Sequence, residues 1–206
     1  MNSMTGKADT LYVWFDTEYS TLELEDACLL QVAALVTNSK LKRVLPPEQD
    51  VRLAIRLPES EKISPWVEEH LPDLVKACRS AEAVDIAEAD DRLSSYINAA
   101  LNSLPERREE RPILAGNSIH MDWRLTCRFL LKFSQLLHYR LLDVTAFKLE
   151  WKRRRRKREF DKEDPANILK YFPQASLSEG NAPHDAYYDV QASIAELAFY
   201  RQYLFR

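Results

Sequence analysis

The amino-acid sequence predicts an α/β protein in which a mixed β-sheet is flanked by α-helices within a single domain. Three β-favouring runs come first, and helical and strand segments alternate after them, an order typical of this class. The chain has 206 residues, of which 46% are hydrophobic. A chain of this length can bury one core without disulfides or a structural metal, so we expect a single folding unit.

Three strands are predicted near the N-terminus. Residues 11–16 (LYVWFD) and 28–37 (CLLQVAALVT) are short β-favouring runs, and residues 51–57 (VRLAIRL) alternate apolar and basic side chains with period two. The Pro46–Pro47 pair marks a turn between the second and third runs. Short connections of this kind favour a hairpin meander.

Helical patterns begin after these strands. Ser64 resembles a helix N-cap followed by Pro65 at the first helical position, and residues 90–104 carry apolar side chains at helical spacing. Residues 112–117 (PILAGN) predict a short buried strand, and residues 123–131 an amphipathic helix.

The C-terminal third is predicted to contain two helices and no further strand. Residues 142–151 have a helical pattern, and residues 161–180, which contain two prolines, are predicted to be irregular. Residues 185–204 predict a strong final helix. The aromatic set around Phe199, Tyr200, Tyr203 and Phe205 is interpreted as helix packing.

Composition excludes several classes of protein. The three glycines stand at positions 6, 116 and 180, so no glycine-rich phosphate loop can be written. The longest apolar stretch, residues 29–36, is far shorter than the ~20 residues that cross a bilayer, so we expect no membrane partner.

Residues 1–10 lack the apolar core of a secretory signal and are predicted to be a flexible N-terminus, with the folded domain spanning residues 11–206. Cys28, Cys78 and Cys127 are odd in number and widely spaced, so we interpret them as reduced, mostly buried thiols without a metal role. Both observations favour a cytoplasmic protein.

The charge is unevenly distributed. The formal net charge is −3, yet residues 152–158 (KRRRRKR) are seven consecutive basic residues. Such a run is compatible with a solvated helix face or a flexible basic loop. A local contact with nucleic acid is the alternative, because the rest of the surface would repel a polyanion.

Acidic side chains and one histidine form the candidate site. Asp16 and Glu18 are two residues apart at the end of the first predicted strand, so both side chains point to the same side. Asp122 stands at a helix start, and His184 precedes Asp189 at the opening of the last helix. Each fragment alone also fits a turn, a helix cap or, for Asp185, a charge favoured by the helix dipole.

The order of these residues resembles the DEDDh family of 3′-to-5′ exonucleases, which have an RNase H-like fold, and is most similar to the oligoribonucleases. Residues 116–122 match a G-N-S-I-x-x-D segment of that group, and residues 138–145 match H-Y-R-x-L-D-V-[ST]. Residues 184–197 match its final H-x-A-x-x-D-x-x-x-S-I-A-E-L helix. The resemblance extends from about residue 11 to residue 203.

The resemblance implies a catalytic centre. It assigns Asp16, Glu18, Asp122 and Asp189 as metal ligands and His184 as the group that takes a proton from water. Clustered carboxylates repel one another, and oxygen ligands select hard divalent ions, so two Mg²⁺ or Mn²⁺ ions are the expected cofactors. The implied activity is hydrolysis of short oligoribonucleotides, dinucleotides especially, to nucleoside 5′-monophosphates.

The resemblance also implies substrate contacts and a homodimer. A wedge between bases and a stacking platform correspond to Leu22 and Trp66, with His70 close to the latter. A phosphate cap corresponds to Ser118, Arg140 and Thr145, and Tyr139 to a tyrosine contributed by a second subunit. Without the resemblance, Trp66 would be interpreted as a packing residue.

Three features depart from the pattern of the oligoribonucleases, one of which is that the segment after Trp66 lacks their usual glycine-containing stretch. Thr21 stands where they usually have glycine, and the basic run with the connection after it is longer and more charged. Two alternatives therefore stay open: an exonuclease of the same family that acts on longer single-stranded DNA or RNA, and a noncatalytic RNA-binding protein. No obligate protein partner is expected.

Overall fold

The computed structural model describes residues 10–154, 158–177 and 184–204. Its sheet has five strands in the order β3-β2-β1-β4-β5. Strands β1, β2 and β3 form an antiparallel meander, whereas β4 pairs in parallel with β1 and β5 in parallel with β4. This mixed sheet confirms the predicted class. The strands are β1 Leu11–Tyr19, β2 Leu29–Asn38, β3 Val51–Ala54, β4 Ile113–Gly116 and β5 Leu141–Asp143.

Helices cover both faces of the sheet. Side chains of β1 alternate, so that Val13 and Phe15 pack with α3, α4 and α5, whereas Trp14 packs with α6, α7 and α8 on the other face. The helices are α1 Pro65–His70, α2 Pro72–Cys78, α3 Ile86–Ala100, α4 His120–Phe129, α5 Leu131–Gln135, α6 Val144–Arg153, α7 Pro165–Tyr171 and α8 Ala186–Leu204. None of the helices in the described parts of the chain is long and apolar enough to span a membrane.

Several predicted boundaries are confirmed. The hydroxyl of Ser64 accepts the N–H of Val67 at 3.3 Å, which caps α1 as the sequence predicts. The final helix begins at residue 186, within one residue of its predicted start. Phe199 packs edge-on against Trp151 with ring centroids 5.1 Å apart, which confirms the packing interpretation for the described aromatic residues. Phe205 lies outside the described residues.

Two predictions for the C-terminal third are wrong. Residues 141–143 form β5, and the helix predicted from residue 142 begins at Val144 instead. This strand is too short to show a period, and it exists because β4 offers a parallel edge. The segment predicted to be irregular contains α7, where Asp164 caps the helix by accepting the N–H of Ala166 at 2.9 Å.

Other boundaries shift. The helix predicted over 90–104 spans residues 86–100, and the third strand ends at residue 54. The helix predicted over 123–131 is two helices that break at Leu130, where φ is −120° and ψ is 63°. The carboxylate of Asp90 accepts the N–H groups of Lys132 and Phe133, which satisfies the start of the second helix.

The three cysteines are free. Cys78 is buried and Cys28 half-buried, but Cys127 is exposed, so the prediction that the thiols are mostly buried is wrong for Cys127. Residues 1–9 of the predicted flexible N-terminus lie outside the described residues, and the boundary at residue 11 stays a prediction.

Candidate active site

Asp16 and Glu18 lie inside β1 rather than in a turn after it. The strand runs to Tyr19, and Asp16 faces Ala33 while Glu18 faces Gln31 in the antiparallel register with β2. Because side chains alternate along a strand, both carboxylates project to the face on which Trp14 packs against α8. The turn interpretation of this pair is therefore wrong.

Asp122 reaches the same place through the parallel pairing of β1 and β4. The chain leaves β4 at Gly116, where a Cβ atom would lie 2.8 Å from the carbonyl oxygen of Phe15, so only glycine permits this close approach. In the first turn of α4, the Asp122 carboxylate accepts the N–H and the hydroxyl of Thr17 at 2.9 and 2.7 Å. Asp122 is only 4% exposed, unlike a solvated helix cap.

Asp189 and His184 approach from the start of α8. The backbone N–H of His184 donates to the Asp189 carboxylate at 3.1 Å, and His184 adopts a left-handed φ of 70°. One ligand atom each from Glu18, His184 and Asp189 lie within 4.8 Å of one another. The neighbouring Asp185 instead accepts the N–H of Tyr188 at 2.9 Å, which agrees with its interpretation as a helix-terminal charge.

The four carboxylates influence one another electrostatically. Burial raises the pKa of Asp16 well above its ordinary value, and the charges of Asp122, Asp189 and Glu18 raise it further. Burial and the Asp189 and Asp122 charges raise the pKa of Glu18 to about 8. Burial likewise raises the pKa of Asp122 to about 7, against the hydrogen bonds from Thr17 that lower it. The site disfavours its own negative charge unless cations neutralise it.

One cation from the chain lies at this cluster. The ammonium group of Lys162 donates to the Asp189 carboxylate at 3.2 Å, and its charge lowers the pKa values of Asp16 and Glu18. Sequence reasoning missed Lys162, because it lies in the segment predicted to be irregular and no motif marks it. Lys162 neutralises the site only in part, so the pKa values of the Asp16 and Glu18 carboxyl groups stay raised.

The residues present fit hard divalent cations. Four carboxylates and one imidazole are the donors of the cluster, and thiolate ligands that would select softer metals are absent from these five residues. The raised pKa values of Glu18 and Asp122 also support this fit, because a cation bound there would stabilise the ionised carboxylates.

A cavity of about 530 Å³ opens on one side of the carboxylates, and we call it the first cavity. Asp16, Glu18, Leu22, Trp66, His184 and Asp189 are among the residues that line it. Leu22 is 78% exposed and Trp66 is 45% exposed, so neither is a core residue. The Trp66 ring stacks on His70 at 4.6 Å and meets the edge of His184 at 5.3 Å. His70 thus packs against one face of the Trp66 ring.

A second cavity of about 380 Å³ lies on the other side of Asp16 and Asp189. It contains two residues of the implied phosphate cap, Ser118 and Thr145. The Thr145 hydroxyl accepts the N–H of Ser118 at 2.8 Å and lies 3.3 Å from its hydroxyl, so the two hydroxyl groups are held together. Sequence reasoning did not single out Asn117, which also lines this cavity, although it stands within the matched 116–122 segment.

Tyr139 and Arg140 line neither of these cavities. Both are exposed just before the edge strand β5, where the Arg140 guanidinium lies 5.4 Å from the centroid of the Tyr139 ring. The buried ring of His138 accepts the N–H of Arg140 at 2.7 Å, and His120 lies 3.5 Å from Asp143, so both histidines have structural contacts. A single chain therefore does not bring Tyr139 to the carboxylates.

Carboxylates that fit divalent cations, a histidine beside them and a mixed sheet that carries them together are the features of a metal-dependent nuclease. The sequence model of a family described as Exonuclease (RNase_T) matches residues 13–197. The chain belongs to this exonuclease family.

Curated relatives cover nearly all of the chain. A probable oligoribonuclease of Schizosaccharomyces pombe is 29% identical over 195 residues, covering 93% of this chain and 67% of the relative. The oligoribonuclease of Streptomyces coelicolor is 29% identical over 203 residues, covering 94% of this chain and 86% of its own length. The human mitochondrial oligoribonuclease is 28% identical over 202 residues, with 94% and 73% covered.

Solved structures of nucleases share the fold. Cell-death related nuclease 4 (CRN-4) has a TM-score of 0.64 at 10% identity, covering 94% of this chain and 64% of that chain. Exonuclease I of Methylocaldum szegediense has a TM-score of 0.64 at 18% identity, and this chain spans 41% of it. S. pombe Pop2p, solved in a form with bound Mg²⁺ and Mn²⁺, has a TM-score of 0.55 at 11% identity, with 94% and 84% covered.

Proposed function

We propose that this protein is a metal-dependent 3′-to-5′ exoribonuclease that hydrolyses short oligoribonucleotides, dinucleotides especially, to nucleoside 5′-monophosphates. The observation that carries the proposal is the convergence of Asp16, Glu18, Asp122 and Asp189 beside His184, with all of them except Asp122 lining the first cavity. The similarity to curated oligoribonucleases along nearly the whole chain supports short RNA as the substrate.

In this proposal the four carboxylates hold two divalent cations, Mg²⁺ or Mn²⁺. Bound cations of this kind polarise the scissile phosphate and make water a better nucleophile. Asp122 is kept in place by both hydrogen bonds from Thr17, and Asp189 by the backbone of His184. These contacts fix the ligand positions before substrate binds.

His184 is the proposed proton acceptor for the attacking water. Its backbone is fixed by the hydrogen bond to Asp189, while its exposed ring makes an edge-to-face contact with the Trp66 ring at the first cavity. The imidazole there would take the proton as the water oxygen attacks phosphorus, and the bond to the 3′ oxygen would break with its electron pair on that oxygen. The released nucleotide keeps the phosphate on its 5′ oxygen.

The first cavity is the proposed site of the 3′-terminal nucleotide. An exposed Leu22 and an exposed Trp66 offer apolar surfaces for a base, and the hydroxyl groups of Ser118 and Thr145 lie across the carboxylates from them. Arg140 stays with Ser118 and Thr145 as the proposed phosphate cap. Tyr139 lines neither cavity of its own chain and is the proposed contribution of a second copy of the chain, so we propose a homodimer. We propose a cytoplasmic location, as the sequence predicts.

A hydrolysis assay tests the function. The purified chain is incubated with 5′-labelled diribonucleotide and with a longer single strand of RNA or DNA, with and without Mg²⁺ or Mn²⁺. We expect metal-dependent release of monophosphates, fastest from the diribonucleotide, and a loss of at least about a thousandfold in Asp189→Asn. Asp73→Asn is the matched control, because that carboxylate is exposed in the first turn of α2 and lines neither cavity, and it should retain activity within about threefold.

Each alternative has its own signature in this assay. Comparable rates on dinucleotides and on long strands would instead indicate an exonuclease for longer substrates. Salt-sensitive RNA binding without any release of monophosphate would indicate a noncatalytic RNA-binding protein.

A further inference from the structure

The second cavity is lined by lysines as well as by the hydroxyl groups of Ser118 and Thr145. Lys148 and Lys152 extend into it from α6, and Lys162 from the connection after that helix. It begins at Asp16 and Asp189, so it is continuous with the carboxylate cluster. A groove that leads from a phosphodiester-cleaving centre past ammonium groups has the chemistry of a nucleic-acid backbone site.

The residues of α6 that line the cavity form a stripe along one side of the helix. Thr145, Lys148, Leu149 and Lys152 recur at intervals of three and four, so they lie one above another over about 10 Å. Thr145 lies at the carboxylate end, and Lys152 lies two turns further away. The stripe therefore leads from the carboxylate cluster to the outer end of the second cavity.

Only one of the three lysines has a free charge among the described residues. The Lys148 ammonium is 3.7 Å from the carboxylate of Glu196, which is 2% exposed, and Lys162 is 3.2 Å from the carboxylate of Asp189. In the described parts of the chain, Lys152 forms no ion pair within 4.0 Å. Its exposed ammonium group is available to a ligand.

The charge continues past the cavity. Lys152 is the first residue of the basic run 152–158, whose residues 155–157 lie outside the described residues. Arg153 and Arg154 are exposed at the end of α6, directly after the lysine stripe. The chain as a whole carries a net charge of −3, so this basic segment is a local exception that suits a polyanion.

We propose that Lys152 binds a backbone phosphate on the 5′ side of the cleaved nucleotide, beyond the Ser118 and Thr145 hydroxyl groups of the second cavity. The inference rests on the proposed function and deepens it. A dinucleotide has a single phosphodiester, which lies at the carboxylates during cleavage. Lys152, two helical turns from Thr145, is placed for a phosphate further along the strand.

Equilibrium binding and hydrolysis together test this inference. Fluorescence anisotropy uses the full chain with Mg²⁺ and a labelled RNA pentamer whose 3′-terminal linkage is a non-hydrolysable methylene phosphonate. Hydrolysis of a diribonucleotide and of an ordinary pentamer is measured in parallel. The variants are Lys152→Gln and, as a matched control, Lys76→Gln, which changes an exposed lysine on α2 that lines neither cavity.

We expect Lys152→Gln to raise the Kd of the pentamer about five- to tenfold and to lower the slope of log Kd against log salt by about 0.7, the value for one phosphate contact on a single strand. The KM of the pentamer should rise at least about fivefold relative to that of the dinucleotide. Lys76→Gln should match the wild type in every measurement.

Pentamer binding that is unchanged in Lys152→Gln, or equal losses for both substrates, would overturn the inference and leave the proposed function intact. Wild-type protein that releases no monophosphate from either RNA would refute the proposed function instead. In that case pentamer binding that is weakened in Lys152→Gln would still support a phosphate contact of Lys152. Pentamer binding that is unchanged in this variant would reject that contact.

Discussion

The hydroxyl of Thr17 donates a hydrogen bond of 2.7 Å to the carboxylate of Asp122, a residue 105 positions further along the chain. The backbone N–H of Thr17 donates to the same oxygen at 2.9 Å. Because Asp16 and Glu18 flank Thr17, this contact fixes the carboxylate from α4 against the two from β1. Thr17 is thus a positioning residue for the cluster, although it has no chemistry of its own there.

Replacing Thr17 by valine tests this role. The variant keeps the backbone hydrogen bond but removes the hydroxyl group that lowers the pKa of Asp122. Protons should then compete more strongly with metal ions, and a hydrogen bond to a charged group contributes about 1.5 to 3 kcal/mol. We expect about tenfold weaker Mg²⁺ affinity at pH 7 by calorimetry, and an activity profile displaced to higher pH.

Thr37→Val is the matched control. Thr37 is equally buried, and its hydroxyl accepts the Trp14 indole N–H at 2.9 Å, away from the carboxylates. This control should lose stability without a change in Mg²⁺ affinity. An unchanged affinity in Thr17→Val as well would contradict the positioning role.

Glu18 should make the metal-free protein less stable as pH rises. Its carboxyl pKa is raised from 4.5 to about 8, so the folded chain retains a proton that the unfolded chain releases between these values. The free energy of unfolding therefore decreases as pH rises from about 4.5 to 8, by an amount on the order of 5 kcal/mol for this group. Glu18→Gln should remove that part of the pH dependence.

Thermal unfolding in EDTA at pH 5.5 and pH 8.5 measures this effect. We expect Glu18→Gln to gain stability over the wild type at pH 8.5 but much less at pH 5.5. Adding Mg²⁺ should stabilise the wild type most at pH 8.5, because the ionised site binds cations. The control is Glu59→Gln, because Glu59 is exposed and lines neither cavity. The same difference in melting temperature between the wild type and Glu18→Gln at both pH values would contradict the raised pKa of Glu18.

Long segments with clear periodicity were predictable from the sequence. The antiparallel meander and α8 follow from alternation and from sustained helical spacing. The elements that were missed are short and depend on distant partners. β5 has three residues and pairs only because β4 presents an edge, and α7 has seven residues between prolines that also fit a loop.

The acids of the site were predictable because a known family spaces them in the same order. Their supporting groups were not, since the contacts of Thr17 and Lys162 join residues that no local pattern relates. The matched family segment selects Asp189 rather than Asp185. The hydrogen bonds agree with this choice, because Asp189 accepts the His184 N–H whereas Asp185 accepts the Tyr188 N–H at the helix start.

Trp66 and Leu22 should contribute to substrate binding and little to stability. Both are exposed at the first cavity, and the Trp66 ring already stacks on His70, which holds it in position. Stacking on an aromatic ring contributes about 1 to 3 kcal/mol per base. We expect Trp66→Ala to raise the KM for diribonucleotide about ten- to a hundredfold, and Leu22→Ala to raise it less, with melting temperatures close to wild type.

Leu131→Ala is the matched control for these two variants. Leu131 is also an exposed large apolar side chain, but it lies at the start of α5 and lines neither cavity. Its KM should equal that of the wild type. A Trp66→Ala variant that melts early with an unchanged KM would instead support the interpretation of Trp66 as a packing residue.

Tyr139 should act on the active site of a second copy of the chain. It is exposed, stacks on His138 with ring centroids 4.5 Å apart, and lines neither cavity of its own chain. Tyr139→Ala and Asp189→Asn should each have low activity alone. In a homodimer, an equimolar mixture forms mixed dimers in which one site has both Asp189 and the partner's Tyr139, so activity should recover to about one quarter of wild type.

Subunits are exchanged by mild denaturation and refolding of the mixture, and the diribonucleotide assay is repeated on it. Gel filtration at two concentrations reports the oligomeric state, and a mixture of Asp16→Asn with Asp189→Asn is the control. The control should not recover, because both changes affect the same carboxylate cluster and every site in the mixture has one of them. A stable monomer, or a Tyr139→Ala mixture that stays inactive, would remove Tyr139 from the proposed site.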